Sequence, residues 1–161
     1  MTADGDRCPI CGHRGLSEPA RTAESGGSYE VCQSCGFEFG VTDDDSAFSD
    51  LAWRWLWIAQ GMPWSSLWYR PQPADWDPEA QLAAVGGTPD RPMRLLRLGA
   101  QVKLREQWMR WRLQAGSEGM VESVRDDVPV YGVRMDAVPE TLFTLAHGDL
   151  QEVADPSAGE G

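Results

Sequence analysis

Four cysteines arranged in two pairs constrain this chain more than any other feature. Cys8-Pro9-Ile10-Cys11-Gly12 and Cys32-Gln33-Ser34-Cys35-Gly36 repeat one local plan, with twenty residues between the pairs. Two spacer residues make a tight turn that aims both sulfurs at one point, and the glycine that follows tolerates the positive φ with which such a turn closes. Two such turns supply the four thiolates of a tetrahedral shell, at a spacing on the edge of the range for paired zinc turns. The alternatives are disulfides or a redox dithiol. A reducing compartment disfavours the first, and no strand and helix pattern of a thioredoxin-like motif flanks either pair. Cys8, Cys11, Cys32 and Cys35 are therefore the candidate metal ligands. Zn2+ is the preferred ion, and Fe in a rubredoxin-like site takes the same four sulfurs. With every position filled by sulfur there is no room for a catalytic water, so the expected role of the ion is structural. His13 is a spare donor that four thiolates make unnecessary.

The chain has 161 residues, with 14 Lys+Arg against 25 Asp+Glu and a net charge of -11. That length fits one domain, or a small domain with an appendage. No apolar stretch approaches the roughly 20 residues that span a bilayer, and no apolar segment follows the polar start of the chain. A cytoplasmic protein with reduced cysteines is the expectation. Residues 1–90 hold 14 acids and 5 bases, whereas residues 91–161 hold 11 and 9. Seven of those bases fall within residues 91–112, beside the single acid Glu106. The overall negative field repels phosphate polymers, so binding of nucleic acid by this basic island is the disfavoured alternative.

Four stretches follow from the pattern. Residues 1–42 form a zinc ribbon, in which residues 28–31 and 37–39 alternate like short strands and offer Tyr29, Val31, Phe37 and Phe39 as an apolar shell around the metal. Residues 43–90 hold a Trp-rich helix and a Pro-rich irregular segment. The run Asp43-Asp44-Asp45-Ser46 is read as N-cap material for a helix over 47–60 that stops at Gly61, in preference to a calcium loop, which would need a glycine and a distal glutamate. Six of the eight tryptophans fall between Trp53 and Trp76. Most are expected in the core, while Trp64, Trp68 and Trp76, set among Pro, Ser and Gly, are expected to be partly exposed and are the candidate partner anchors. Residues 155–161 read as a disordered tail.

The residues Cys-Pro-x-Cys-Gly, a Glu-Pro and Gly-Gly loop, then Ser-Tyr-Glu-Val-Cys-x-x-Cys-Gly-Phe-Glu-Phe and an acidic run together resemble the cysteine-rich CPCC-type family of small bacterial proteins, over roughly residues 7–80. Gln33 stands where that family often has a second Cys-Pro, and Gly36 where an aromatic is common; both departures leave the four ligands intact. The resemblance implies a metal-bound, cysteine-rich domain in the bacterial cytosol and no established reaction. Some proteins of this kind look like partners in toxin and immunity systems.

Residues 91–154 carry less familiar signals. A long helix over 91–115 is predicted from two apolar stripes: Met93, Leu96, Ala100, Leu104, Trp108, Trp111 and Ala115, and Leu95, Leu98, Val102, Met109 and Leu113. Arg94, Arg105 and Arg112, with the other bases, occupy the seams and are candidate partner contacts. A hairpin of residues 121–124 and 128–135 follows, then a short helix from 138 ending at His147-Gly148. His147 and Asp149 lack a paired nucleophile, and no glycine-rich phosphate loop occurs. The expected fold is thus α+β: a small N-terminal zinc ribbon, a mostly helical segment, and a short β-hairpin plus helix. The expected function is a non-enzymatic protein-binding module of immunity, antitoxin or regulatory type. A nucleic-acid-binding ribbon and an iron electron carrier are the rivals.

Overall fold

The computed structural model describes residues 5–22, 24, 26–66 and 70–154. The chain forms two compact units, Met1–Asp90 and Arg91–Gly161. Trp68 and the tail at 155–161 lie outside the described residues.

The first unit is mostly turns. A two-residue ladder joins β1 (Arg21–Thr22) to β2 (Gly26–Gly27), and two short helices follow, α1 (Asp50–Ala59) and α2 (Pro78–Ala83). α1 lies inside the predicted 47–60 helix, but its N-cap is Ser49, whose hydroxyl accepts from the Ala52 N–H. The acidic run does not cap it. Ala47 sits at φ 57, which breaks helical continuity, and Asp43 is buried beneath Arg21. α2 begins with Pro78 in its first turn and Asp77 accepting from the Glu79 and Ala80 N–H groups. The four cysteines are themselves core: they join Ile10, Leu16, Ala20, Phe37, Phe39, Trp57 and Leu82 in one buried cluster.

The second unit corrects the expected architecture. In place of a long helix and a terminal helix, it is an antiparallel sheet of β3 (Gln101–Leu104), β4 (Glu118–Val124), β5 (Val130–Met135), β6 (Leu142–Ala146) and β7 (Leu150–Glu152), in the order β6-β5-β4-β3-β7. The whole chain is therefore mostly sheet, with seven strands in two sheets and two short helices among the described residues. Gly99, in the interior of the predicted helix, takes φ 82, and Arg112 takes φ 55, so no helix runs through 91–115. Val102 and Leu104 are buried while Gln101 is exposed, an alternation with period two that the dense apolar pattern masked. The expected 121–135 hairpin is present as β4 and β5, with a bulge at Glu122 between paired Val121 and Ser123.

β6 and β7 lie on opposite edges of the sheet, yet only a 3₁₀ turn, His147–Asp149, joins them. Four chain steps reach about 14 Å at full extension, whereas the edges of a flat five-stranded sheet stand about 19 Å apart. The sheet must therefore curl toward a barrel. Val102, Leu104, Val121, Val133, Met135, Phe143, Leu145 and Leu150 are buried. Trp108 and Trp111 meet Phe143 edge-on, with ring centres 5.5 and 5.0 Å away.

Candidate metal centre

The two cysteine turns are built alike to the level of single hydrogen bonds. In the first, the Cys8 N–H donates to the His13 carbonyl (2.8 Å) and the Gly12 N–H to the Cys8 carbonyl (2.9 Å). In the second, the Cys32 N–H donates to the Phe37 carbonyl (2.9 Å) and the Gly36 N–H to the Cys32 carbonyl (2.8 Å). Gly12 and Gly36 have φ 84 and 79, so both closures use the left-handed region that glycine enters without penalty. At Gly12 there is also no space: an added Cβ would lie 2.0 Å from the Gln81 carbonyl oxygen, because the end of α2 rests on this turn.

The outward carbonyls of each turn need donors, and each turn finds different ones. Arg54, from α1, donates Nε to the Ile10 carbonyl (2.6 Å) and Nη2 to the Pro9 carbonyl (2.8 Å). The backbone N–H groups of Ser65 and Ser66 donate to the Gln33 carbonyl (3.1 and 2.9 Å). Trp53, also on α1, donates its indole N–H to the Cys35 carbonyl (3.0 Å). Buried Ser34 takes a hydrogen bond from Gln81, whose side-chain oxygen accepts from the Trp76 indole. The two helices thus hold the turns in place from outside.

All four sulfurs are buried and lie within 4.8 Å of one another. Cys8 to Cys35 is 3.9 Å and Cys11 to Cys32 is 3.6 Å. A tetrahedral ion with metal–sulfur bonds of about 2.3 Å sets its sulfurs about 3.8 Å apart. The four cysteines are free, and no disulfide joins them in this arrangement. Burial, reinforced by the neighbouring sulfurs, holds the Cys35 thiol well above its ordinary value. A cation between the sulfurs would offset that cost. The cluster can therefore hold a metal ion, and among the described residues it is the group of His, Cys, Asp and Glu side chains placed to do so.

His13 is not part of it. Its ring packs edge-on against Trp64 at 5.3 Å, and burial, opposed by a hydrogen bond to Gln81, lowers the imidazole below its ordinary value. The apolar shell is Phe37 and Phe39, both fully buried. Tyr29, at φ 64, is 62% exposed and Val31 is exposed as well, so these two do not shield the sulfurs. Arg21 covers the shell: its guanidinium lies over both phenyl rings and pairs with Asp43 (2.8 Å) and Asp50 (2.7 Å). Burial alone would depress that guanidinium, and the two aspartates outweigh it and hold it raised. With Asp43 also accepting from the Gly40 N–H, the acidic run serves structure rather than calcium.

Of the candidate partner anchors, Trp64 is more buried than expected, whereas Trp76 is partly exposed. Trp64 is 5% exposed and donates its indole N–H to the Arg70 carbonyl; Trp76 is half-buried and meets Trp64 edge-on at 5.4 Å. Set among Pro and Ser, these rings fill a small unit that has few branched aliphatic residues to do so. The basic island does not form one helical face. Arg94 pairs with Glu152 (3.0 Å), Lys103 with Glu118 (3.9 Å), and Arg105 donates to the Leu150 carbonyl (2.7 Å). Arg112 is exposed at the end of a 3₁₀ turn, Met109–Trp111.

Two features escaped sequence reasoning. Arg54 carried no motif, and its contact with the first turn spans more than forty residues. Tyr131 is buried on β5, where its hydroxyl accepts from the Leu96 N–H (3.1 Å) and meets His147 Nδ1 at 3.0 Å. No helix among the described residues is long and apolar enough to cross a membrane. No family model, curated protein or solved structure matches this chain.

Proposed function

We propose that this chain is a non-enzymatic bacterial protein-binding module of the cytoplasm, whose first unit is held together by a structural zinc ion on Cys8, Cys11, Cys32 and Cys35. The observation that carries the reading is four buried sulfurs at tetrahedral spacing, which leave no coordination position for water or substrate. The resemblance to the CPCC-type family is part of the same proposal, and so is an immunity, antitoxin or regulatory role. An acidic first unit with 14 acids against 5 bases suits a basic partner. Since Trp64 is packed inside and Trp76 is only partly exposed, the exposed apolar side chains Met93, Leu98 and Met109 are the better partner contacts.

The test is metal analysis with a visible spectrum on untagged protein purified from its own host, followed by size-exclusion chromatography of the native lysate. One zinc per chain, no colour, and elution in a complex with a protein are the expected results. One iron with thiolate absorption would replace the reading with an electron carrier, since the same sulfurs hold iron. Elution as the isolated chain would remove the partner role.

A further inference from the structure

We infer that Arg54 is the counter-cation of the metal centre, a positioning residue whose charge, and not only its hydrogen bonds, sets how tightly the four thiolates hold a divalent ion. The inference rests on the metal reading above and deepens it. Four thiolates around a divalent ion leave two net negative charges, buried in a unit whose acids already outnumber its bases. A buried charge of that size needs a compensating partner.

The bases of the first unit are unequally placed to supply it. Arg14 pairs with Asp6 and Arg21 with Asp43 and Asp50, so both are engaged by carboxylates. Arg7 donates to the Gly12 carbonyl, and Arg70 is exposed. Arg54 differs from Arg14 and Arg21 in having no carboxylate partner, and from Arg7 in gripping the turn through two carbonyls. Its Nε and Nη2 both donate to neutral carbonyls of the first cysteine turn, so its positive charge is not cancelled by a paired carboxylate among the described residues. Burial lowers the Arg54 guanidinium below its ordinary value, opposed by Asp50, which Arg21 already holds, and then by Cys8, Cys11 and Cys35. Arg54 is half-buried, where solvent screening is weaker than at the surface. The second turn has backbone N–H donors in the corresponding place, which satisfy carbonyls but bring no net charge. If capping were the whole task, a neutral donor would serve the first turn too.

The experiment uses the full chain with Arg54→Gln and Arg54→Lys, loaded with cobalt(II) in competition with a chromophoric chelator under reducing conditions. Arg54→Gln keeps an N–H donor without charge, and Arg54→Lys keeps the charge without the fork. Cobalt affinity should fall about 10- to 100-fold in Arg54→Gln and stay within about threefold in Arg54→Lys. In the iron-substituted protein, Arg54→Gln should also shift the reduction potential to more negative values, because the reduced site carries the larger negative charge. Equal affinity in Arg54→Gln and wild type, or a loss in Arg54→Lys as large as in Arg54→Gln, overturns the inference. Should Arg54→Gln not fold with saturating metal, Arg54→Lys decides alone: folding with near wild-type affinity supports the charge role, and failure to fold or load overturns it. A wild-type chain with no thiolate-to-cobalt absorption would instead remove the metal reading, and the inference with it.

Discussion

Stripping the metal should unfold the first unit and leave the second intact. In the first unit the cysteines are four of the eleven residues in the buried cluster, so the ion sits where a larger domain would place a hydrophobic centre. Structural zinc contributes an apparent 10–16 kcal/mol, roughly, to folding of small four-ligand sites near pH 7. A folded unit of about 90 residues has a total stability of about 5–14 kcal/mol from the usual per-residue range. Loss of the ion is therefore comparable with or larger than the whole margin. The second unit has its own core of Val102, Val121, Val133, Met135, Phe143 and Leu145, with no cysteine in it. Hydrogen–deuterium exchange read by peptide, before and after chelation in the presence of a phosphine reductant, separates the two. Amides around both cysteine turns and in α1 should lose protection, while those of β3 to β6 should not change. Tryptophan emission gives a second readout, since six of the eight tryptophans belong to the first unit. Protection that persists around Cys8 to Cys35 after the metal is shown to be gone would refute the reasoning. Joint loss of both units would refute their independence.

Three further outcomes follow from single contacts. Gly12→Ala should destabilise the first unit by about 3 kcal/mol or more, the left-handed φ alone contributing about 1–2 kcal/mol and the clash with the Gln81 carbonyl the rest; a metal-loaded melting curve within about 1 kcal/mol of wild type would contradict this. Tyr131→Phe removes the acceptor for the buried Leu96 N–H and should cost about 1–3 kcal/mol in denaturant unfolding of the second unit. The His147 imidazole is held below its ordinary value of 6.5 first by burial and then by Arg105. The native state then binds fewer protons than the unfolded one, so stability is full above about pH 6.5 and falls as pH drops below it toward the lowered native value. Melting of wild type and His147→Asn at pH 7.5 and pH 5.5 checks the sign: the variant should lose the acid-side decline attributable to this group, and an unchanged decline would reject it.

The metal centre was the most legible part of the chain, because its information is local. Cysteine, two spacers, cysteine and glycine fix a turn through bonds that begin and end within six residues, so spacing alone identifies Cys8, Cys11, Cys32 and Cys35 as one group. What surrounds the sulfurs was not local. Phe37 and Phe39 could be named from their alternation after the second turn, but Tyr29 and Val31 share that alternation before it and are exposed. The difference arises at Tyr29, whose positive φ turns the chain away, and no propensity for tyrosine announces that conformation. Arg54 lies on a helix whose amphipathic pattern is complete without it. Its role depends on α1 coming to rest beside Pro9 and Ile10.

The second unit shows why a correct apolar inventory can still yield the wrong architecture. Between Met93 and Leu113 so many positions are apolar that residues spaced by three or four can always be found, and a helical stripe emerges whether or not a helix forms. The informative residues were those that a helix cannot accommodate. Gly99 turns with φ 82 just before β3, and its N–H donates to the Val121 carbonyl, which starts the β3–β4 pairing. Trp108 and Leu113 bridge each other across Arg112, folding the segment back as a loop that brings two indoles onto Phe143. Strand pairing with partners up to about fifty residues away then decides the outcome, and a local window does not contain those partners. The same pairing accounts for the basic island. Once Lys103 lies opposite Glu118, and Arg94 reaches Glu152 on β7, these two bases become members of separate ion pairs, while Arg91 and Arg105 cap the carbonyls of Asp127 and Leu150. A run of like charge in sequence is therefore no guide to a field in space until the register of the strands is known.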